Sequence, residues 1–154
     1  MPSTPTPRLL ADLCEVAAAP AGRAGALWKL TESGRQLDAN LVHLPAHRRV
    51  ERHVEPELDV LVLVLGGQGT LHALPAEPAA GRERFADRAS PADRENAGDP
   101  AGGEDPERLS LTEGVVCWLP HGSARAIEAG PAGLTYLTVH RRRPGLRIAA
   151  RPAP

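Results

Sequence analysis

Short apolar runs at regular intervals, each closed by turn residues, constrain this 154-residue chain more than any other feature. Ala26 to Leu30, Leu37 to Leu44, Leu58 to Leu65 and Gly69 to Leu74 come first, separated by Gly34, Pro45, Pro56 and Gly66-Gly67. The pattern resumes with Leu109 to Thr112, Val115 to Leu119, Ala124 to Glu128 and Leu134 to His140. Runs of this length are too short for buried helices and match half-buried strands, so roughly eight strands are expected in an all-β sandwich or barrel. Ahead of them, Leu9, Leu10, Leu13 and Val16 recur at helical spacing, which predicts one short amphipathic helix over Arg8 to Ala18, ended by Pro20 and Gly22.

Between the two groups of strands lies a segment of another kind. Residues 75–107 hold five prolines, four glycines, nine acidic residues and four arginines, with no Leu, Ile or Val. Such a stretch buries too little apolar surface to offset the entropy of ordering, so a long disordered insertion is expected there. Its Phe85 leaves open a second reading, a lid over a ligand. The expected organisation is a flexible tail over 1–8, one barrel domain over 9–146 interrupted by the insertion at 75–107, and a flexible tail over 147–154.

Charge narrows the partners. Eighteen basic against 19 acidic residues give a net charge of −1 with no broad basic face, which argues against nucleic acid. No run approaches the ~20 apolar residues of a membrane span, and Asp12 and Glu15 interrupt the one stretch resembling a signal sequence. A cytoplasmic location is the expectation. Cys14 and Cys117 are too few for a disulfide framework and are expected as buried, reduced thiols.

Two spaced motifs carry the chemistry. In the first, His47 is followed after five residues by His53-Val54-Glu55, after three more by Asp59, and after six by Gly66. In the second, Gly114 is followed after five residues by Pro120-His121-Gly122 and after two more by Arg125. With strands between them, they resemble the two signatures of the cupin superfamily: glycine, His-x-His, Glu and glycine, then glycine, Pro-x-Gly and histidine. The segment Leu58 to Gly69 also looks like the cupin strand that leads into a tight glycine turn, and Thr138 to Leu146 resembles the tail of small single-domain cupins of actinobacterial type. The resemblance spans about Leu37 to Val139 outside the insertion. It implies a double-stranded β-barrel, or jelly roll, of the RmlC-like kind, with His53, Glu55, Asp59 and Arg125 at the four positions whose side chains hold a divalent metal in the usual cupin.

Those four residues are one His, two carboxylates and one Arg. A guanidinium stays protonated and has no lone pair to give a metal, so Arg125 cannot take a ligand's place. It can supply the missing positive charge through planar pairing with carboxylates. The leading expectation is therefore a small-molecule-binding cupin without metal, its ligand unidentified, in which Arg125 bridges Glu55 and Asp59 with His53 beside them. A second reading keeps a Mn or Fe ion on His53, Glu55 and Asp59, as an oxygenase or isomerase would, with Arg125 turned toward an anionic substrate. A third is a metal-independent isomerase with His53 as base, Asp59 orienting it and Tyr136 as a possible acid.

The remaining side chains receive plainer readings. His43, His47, His72, His121 and His140 are expected mostly at the surface, with a pocket-rim position as a second reading for His121; Trp28 and Trp118 are expected in the core, and Arg141 to Arg143 are expected to form a solvated end. If Asp59 points inward, strand alternation carries Leu61, Leu63 and Leu65 inward with it and leaves Val60, Val62 and Val64 outside. A covered valine face then implies a homodimer, or burial under the Leu9 to Val16 helix.

Overall fold

The computed structural model describes residues 6–18, 23–74 and 107–143. Residues 1–5, 19–22, 75–106 and 144–154, which hold most of the expected insertion and tails, lie outside these described residues. Helix α1 covers Leu13–Ala18, shorter than the periodicity predicts. Its start is set by Asp12, whose Oδ1 accepts hydrogen bonds from Cys14 N at 2.9 Å and Glu15 N at 3.2 Å, an N-cap that ends the helical pattern before Leu9 and Leu10 can join it.

Seven strands follow: β1 (Gly25–Lys29), β2 (Leu37–Leu44), β3 (Arg49–Val54), β4 (Val60–Leu74), β5 (Glu107–Thr112), β6 (Val116–Leu119) and β7 (Ala124–Arg141). All pairings are antiparallel. Two pairs of expected strands have merged into the long β4 and β7, which run beside each other through both halves of the molecule. Their first and last portions take part in different sheets. One layer runs β1-β2-β7-β4-β6, using Leu134–Arg141 and Val60–Leu63 of the long strands. The other runs β3-β7-β4-β5, using Ala124–Ala129 and Gly69–Leu74. Two layers joined by two bent, continuous strands make a jelly-roll barrel.

The bend replaces the expected glycine turn. Register shifts fall between Val64 and Gly66 and between Gly67 and Gly69, so the chain bulges without leaving the ladder. Gly67 sits at φ +73°, and a Cβ on it would run into the carbonyl oxygen of Gly133 on the facing strand. Close approach of two backbones is what the glycines permit.

The bulges also decide which side chains face inward. Val60, Val62 and Val64 form the core with Leu71, Leu111, Leu119, Ile127, Ala129, Leu134 and Tyr136. Even positions therefore face in before the bend and the odd position Leu71 faces in after it. This corrects the expected facing of β4: the valines are inside, while Leu61 and Asp59 are exposed. Each buried valine contributes about 1.5–3 kcal/mol by leaving water.

Strand β3, of sequence RVERHV, lacks an apolar run and was not foreseen. It pairs only with β7 and so forms a sheet edge, where charged side chains discourage pairing with another chain. Three further expectations are corrected. Trp118 is exposed because it alternates with buried Leu119; His43 is buried, its Nδ1 2.8 Å from Thr135 Oγ1; and Cys14 is exposed, because α1 buries none of its residues. Among the described residues no helix is long and apolar enough to cross a membrane.

Candidate functional site

Both ends of β4 and β7 lie away from the bend, and they bring the β3–β4 and β6–β7 connections together at one open end of the barrel. Gly122 N donates to Glu55 O at 2.7 Å across these connections. The turn residues explain why the motif spacing survives. His47, where the cupin pattern has its first glycine, adopts φ 59°, and Gly114 and Gly122 adopt φ 85° and 78°. The backbone keeps its left-handed turns even where the residue has changed, and histidine is among the side chains that tolerate them best.

Arg125 lies in the layer formed by β3, β7, β4 and β5. It pairs with His53 on one side and Ala73 on the other, two residues along from the Ile127–Leu71 core pair, so strand alternation turns it toward the interior. It is 5% exposed. Its Nη1 donates to Ser123 O at 3.4 Å, a long bond. Burial lowers its pKa, and the charge of Glu55 raises it in part. Glu55 is the nearby carboxylate, with a side chain 14% exposed and ion-paired to Arg143.

The other two predicted site residues turn elsewhere. Asp59 Oδ1 accepts hydrogen bonds from His121 N at 2.9 Å and from His121 Nδ1 at 2.7 Å. Those bonds, the backbone one first, hold its carboxyl below the usual carboxylate range. His53, though beside Arg125 in the ladder, is exposed and places Nδ1 3.0 Å from Glu51 O. The expected bridge from Arg125 to both carboxylates is thus corrected to proximity to Glu55 alone, and the His53–Asp59 base pair does not form, because Asp59 is held by His121.

The donor set does not fit the metal that the resemblance implies. Among the described residues no three of His, Cys, Asp and Glu come together where they could hold an ion. Tyr136, considered as an acid, is packed in the core, and burial pushes its hydroxyl up to about 12, out of the working range of a proton donor near neutrality.

Two participants escaped the sequence reading. Arg143, read as part of a solvated end, reaches Glu55, and His121 serves as the partner of Asp59 as well as a rim residue. Nothing in an arginine run reveals a partner so far away in the chain, whereas the Asp59–His121 pair could have been suspected from a carboxylate and an imidazole placed at the two motif turns. Beside this end of the barrel, Arg35, Arg141, Arg142 and Arg143 line an open groove of about 540 Å³ with Gly34, Gln36 and Leu37. Arg35 is tied to Asp38 Oδ1 at 2.8 Å and to Glu32 O at 3.1 Å.

Two bent sheets closed around an aliphatic core, with the β3–β4 and β6–β7 connections meeting at one mouth, define a cupin fold. Solved structures agree. The chain is similar to BH2720 of Bacillus halodurans, at TM-score 0.58 and 13% identity over 91% of this chain and 86% of that one. It is also similar to a cupin superfamily protein of Desulfitobacterium hafniense, at TM-score 0.55 and 16% identity over 90% and 94% of the two chains. TT1209 of Thermus thermophilus gives TM-score 0.54 and 16% identity over 88% and 98%. No family model and no curated protein matches the sequence.

Proposed function

We propose that the protein binds a small anionic molecule at the mouth of the barrel, with Arg125 as the group that receives the anion and no metal in the site. The observation that carries this is the buried guanidinium of Arg125, whose hydrogen bond to Ser123 O is long and whose neighbouring carboxylate, Glu55, is engaged by Arg143. A guanidinium offers five donors in a plane, and burying it without matched acceptors is costly. Of the side-chain nitrogens and oxygens described, His72 Nε2, 3.5 Å from Glu128 Oε2, is the one sealed from solvent without a hydrogen bond, so the other donors of Arg125 are partnered or within reach of solvent. A carboxylate or phosphate arriving there would complete planar, charge-assisted hydrogen bonds. The groove lined by Arg141 and Arg142 favours approach of the same charge.

The test pairs metal analysis of protein purified without chelator with calorimetric titration of small carboxylates and inorganic phosphate against wild type and Arg125→Met. We expect no stoichiometric metal, and binding that the substitution removes. Glu55 keeps its ion pair with Arg143 when Arg125 is replaced, so the substitution strands no partner and the variant should remain folded. A divalent ion at one per chain, or a variant several kcal/mol less stable without any ligand, would overturn this reading.

A further inference from the structure

Strand register gathers arginines at one end of the larger layer. Leu37 opens β2 opposite Arg141, the last residue of β7, and just past this pair Arg142 N donates to Gln36 O at 2.8 Å. Backbone bonds thus tie the turn before β2 to the end of β7, and these two segments are the walls of the groove of about 540 Å³. That volume falls within the ~300–1,000 Å³ of small-molecule sites. Among the described residues that line it, four are arginines and none is acidic.

The four guanidiniums are not equivalent. Arg35, its side chain 23% exposed, is held from behind, with Nε donating to Asp38 Oδ1 at 2.8 Å and Nη1 to Glu32 O at 3.1 Å. A guanidinium carries five N–H donors, so Arg35 keeps spare donors in a position fixed in advance. Arg143 is ion-paired with Glu55. Arg141 and Arg142 are exposed, and no described carboxylate pairs with either. The acids around the groove are turned to other partners: Asp38 to Arg35, Glu32 to Arg8 and Glu55 to Arg143. Asp59, one residue before the Val60–His140 pair and so level with Arg141, accepts from His121, and Glu57 stands exposed in the β3–β4 connection. Neither lines the groove. Residues 144–154, next in the chain, contain Arg147 and Arg151 and no Asp or Glu.

We infer that this groove is a second anion site, separate from Arg125, and that its ligand is a small molecule carrying two adjacent anionic groups, as a diphosphate does. Arg141 and Arg142 can each grip one phosphate through a planar pair of charge-assisted hydrogen bonds, and Arg35 adds donors from the opposite wall. A lone phosphate meets one such fork at a time and is held much more weakly. A nucleic-acid strand fits poorly, because the chain's net charge is −1 and these arginines line one short groove, not a track.

Calorimetric titration of inorganic diphosphate into the whole chain tests this, with Arg125→Met as the background so that the barrel mouth is silent whatever it binds. One diphosphate per chain is expected, with no signal from inorganic phosphate at the same concentrations. Arg141→Gln with Arg142→Gln should weaken diphosphate at least about tenfold, through the loss of charge-assisted hydrogen bonds. Arg141→Lys with Arg142→Lys keeps the charge but removes the forks, and should weaken it about fivefold. Both pairs replace exposed side chains, so the urea midpoint should stay where it is. Absence of diphosphate binding in the Arg125→Met background overturns the inference, without bearing on Arg125 as an anion site. Undiminished binding by the lysine pair would reduce the groove to general charge attraction, and tighter binding of a single-stranded oligonucleotide would make its ligand a nucleic acid; either result overturns the diphosphate site.

Discussion

Asp59 and His121 form a pair whose strength depends on pH in a definite direction. The carboxylate accepts two hydrogen bonds from one residue, and they lower its pKa from the ordinary 3.8. A carboxylate with a depressed native pKa contributes stability that is fully present above its unfolded value and is lost as pH falls through the native one. Asp59→Asn should therefore be less stable than wild type at neutrality, and the difference should shrink below about pH 4. Urea denaturation from neutrality into acid measures this; a difference that stays constant with pH would show that the carboxylate charge is not what matters. Cys117 is another residue whose surroundings fix its behaviour. Burial raises its thiol pKa, so it stays protonated and unreactive at neutral pH.

Among the elements, β4 carries the most information and the most ambiguity. Its apolar content identified it as a buried strand, and the two motif spacings fall on strands whose backbones are in register at His53 and Arg125, with turns at His47 and Gly122 setting both strands' entry points, although His53 itself is exposed. Inward and outward faces were not legible. A single inserted residue exchanges the faces of a strand, and a bulge leaves no trace in local composition. Alternation counted from Leu71 back across Gly66–Gly69 puts Leu61 inside, whereas the observed register shifts put Val62 there. Edge strand β3 was hidden for the opposite reason: its side chains are selected for exposure. The Gly67 bend yields a direct expectation. Gly67→Ala needs a Cβ where the Gly133 carbonyl already stands, at a φ of +73° that alanine resists. We expect a loss of at least about 3 kcal/mol in denaturant unfolding, against less than about 1 kcal/mol for Gly66→Ala, which meets nothing within 4 Å. Equal losses at the two positions would mean that general strand propensity, and not the close approach, governs the bend.

For the whole molecule, the ladder joins the two segments on either side of residues 75–106 directly. Ala73 and Glu107 are register partners at the end of the β4–β5 pair, so the two sides of the insertion leave the sheet side by side. The core side chains among the described residues lie in the segments before and after it. A replacement of residues 75–106 by a four-residue glycine-containing turn should therefore retain the fold, since antiparallel neighbours are joined routinely by loops of that length. The prolines, glycines and charges of the insertion are the composition of a flexible loop. For such a loop, closure entropy grows with the logarithm of its length, and shortening it about eightfold should stabilise the protein by about 2 kcal/mol. Circular dichroism would report the retained sheet and urea unfolding the gain. If the shortened chain is instead less stable, the insertion makes contacts that hold the native state, and its sequence has been misread as a spacer.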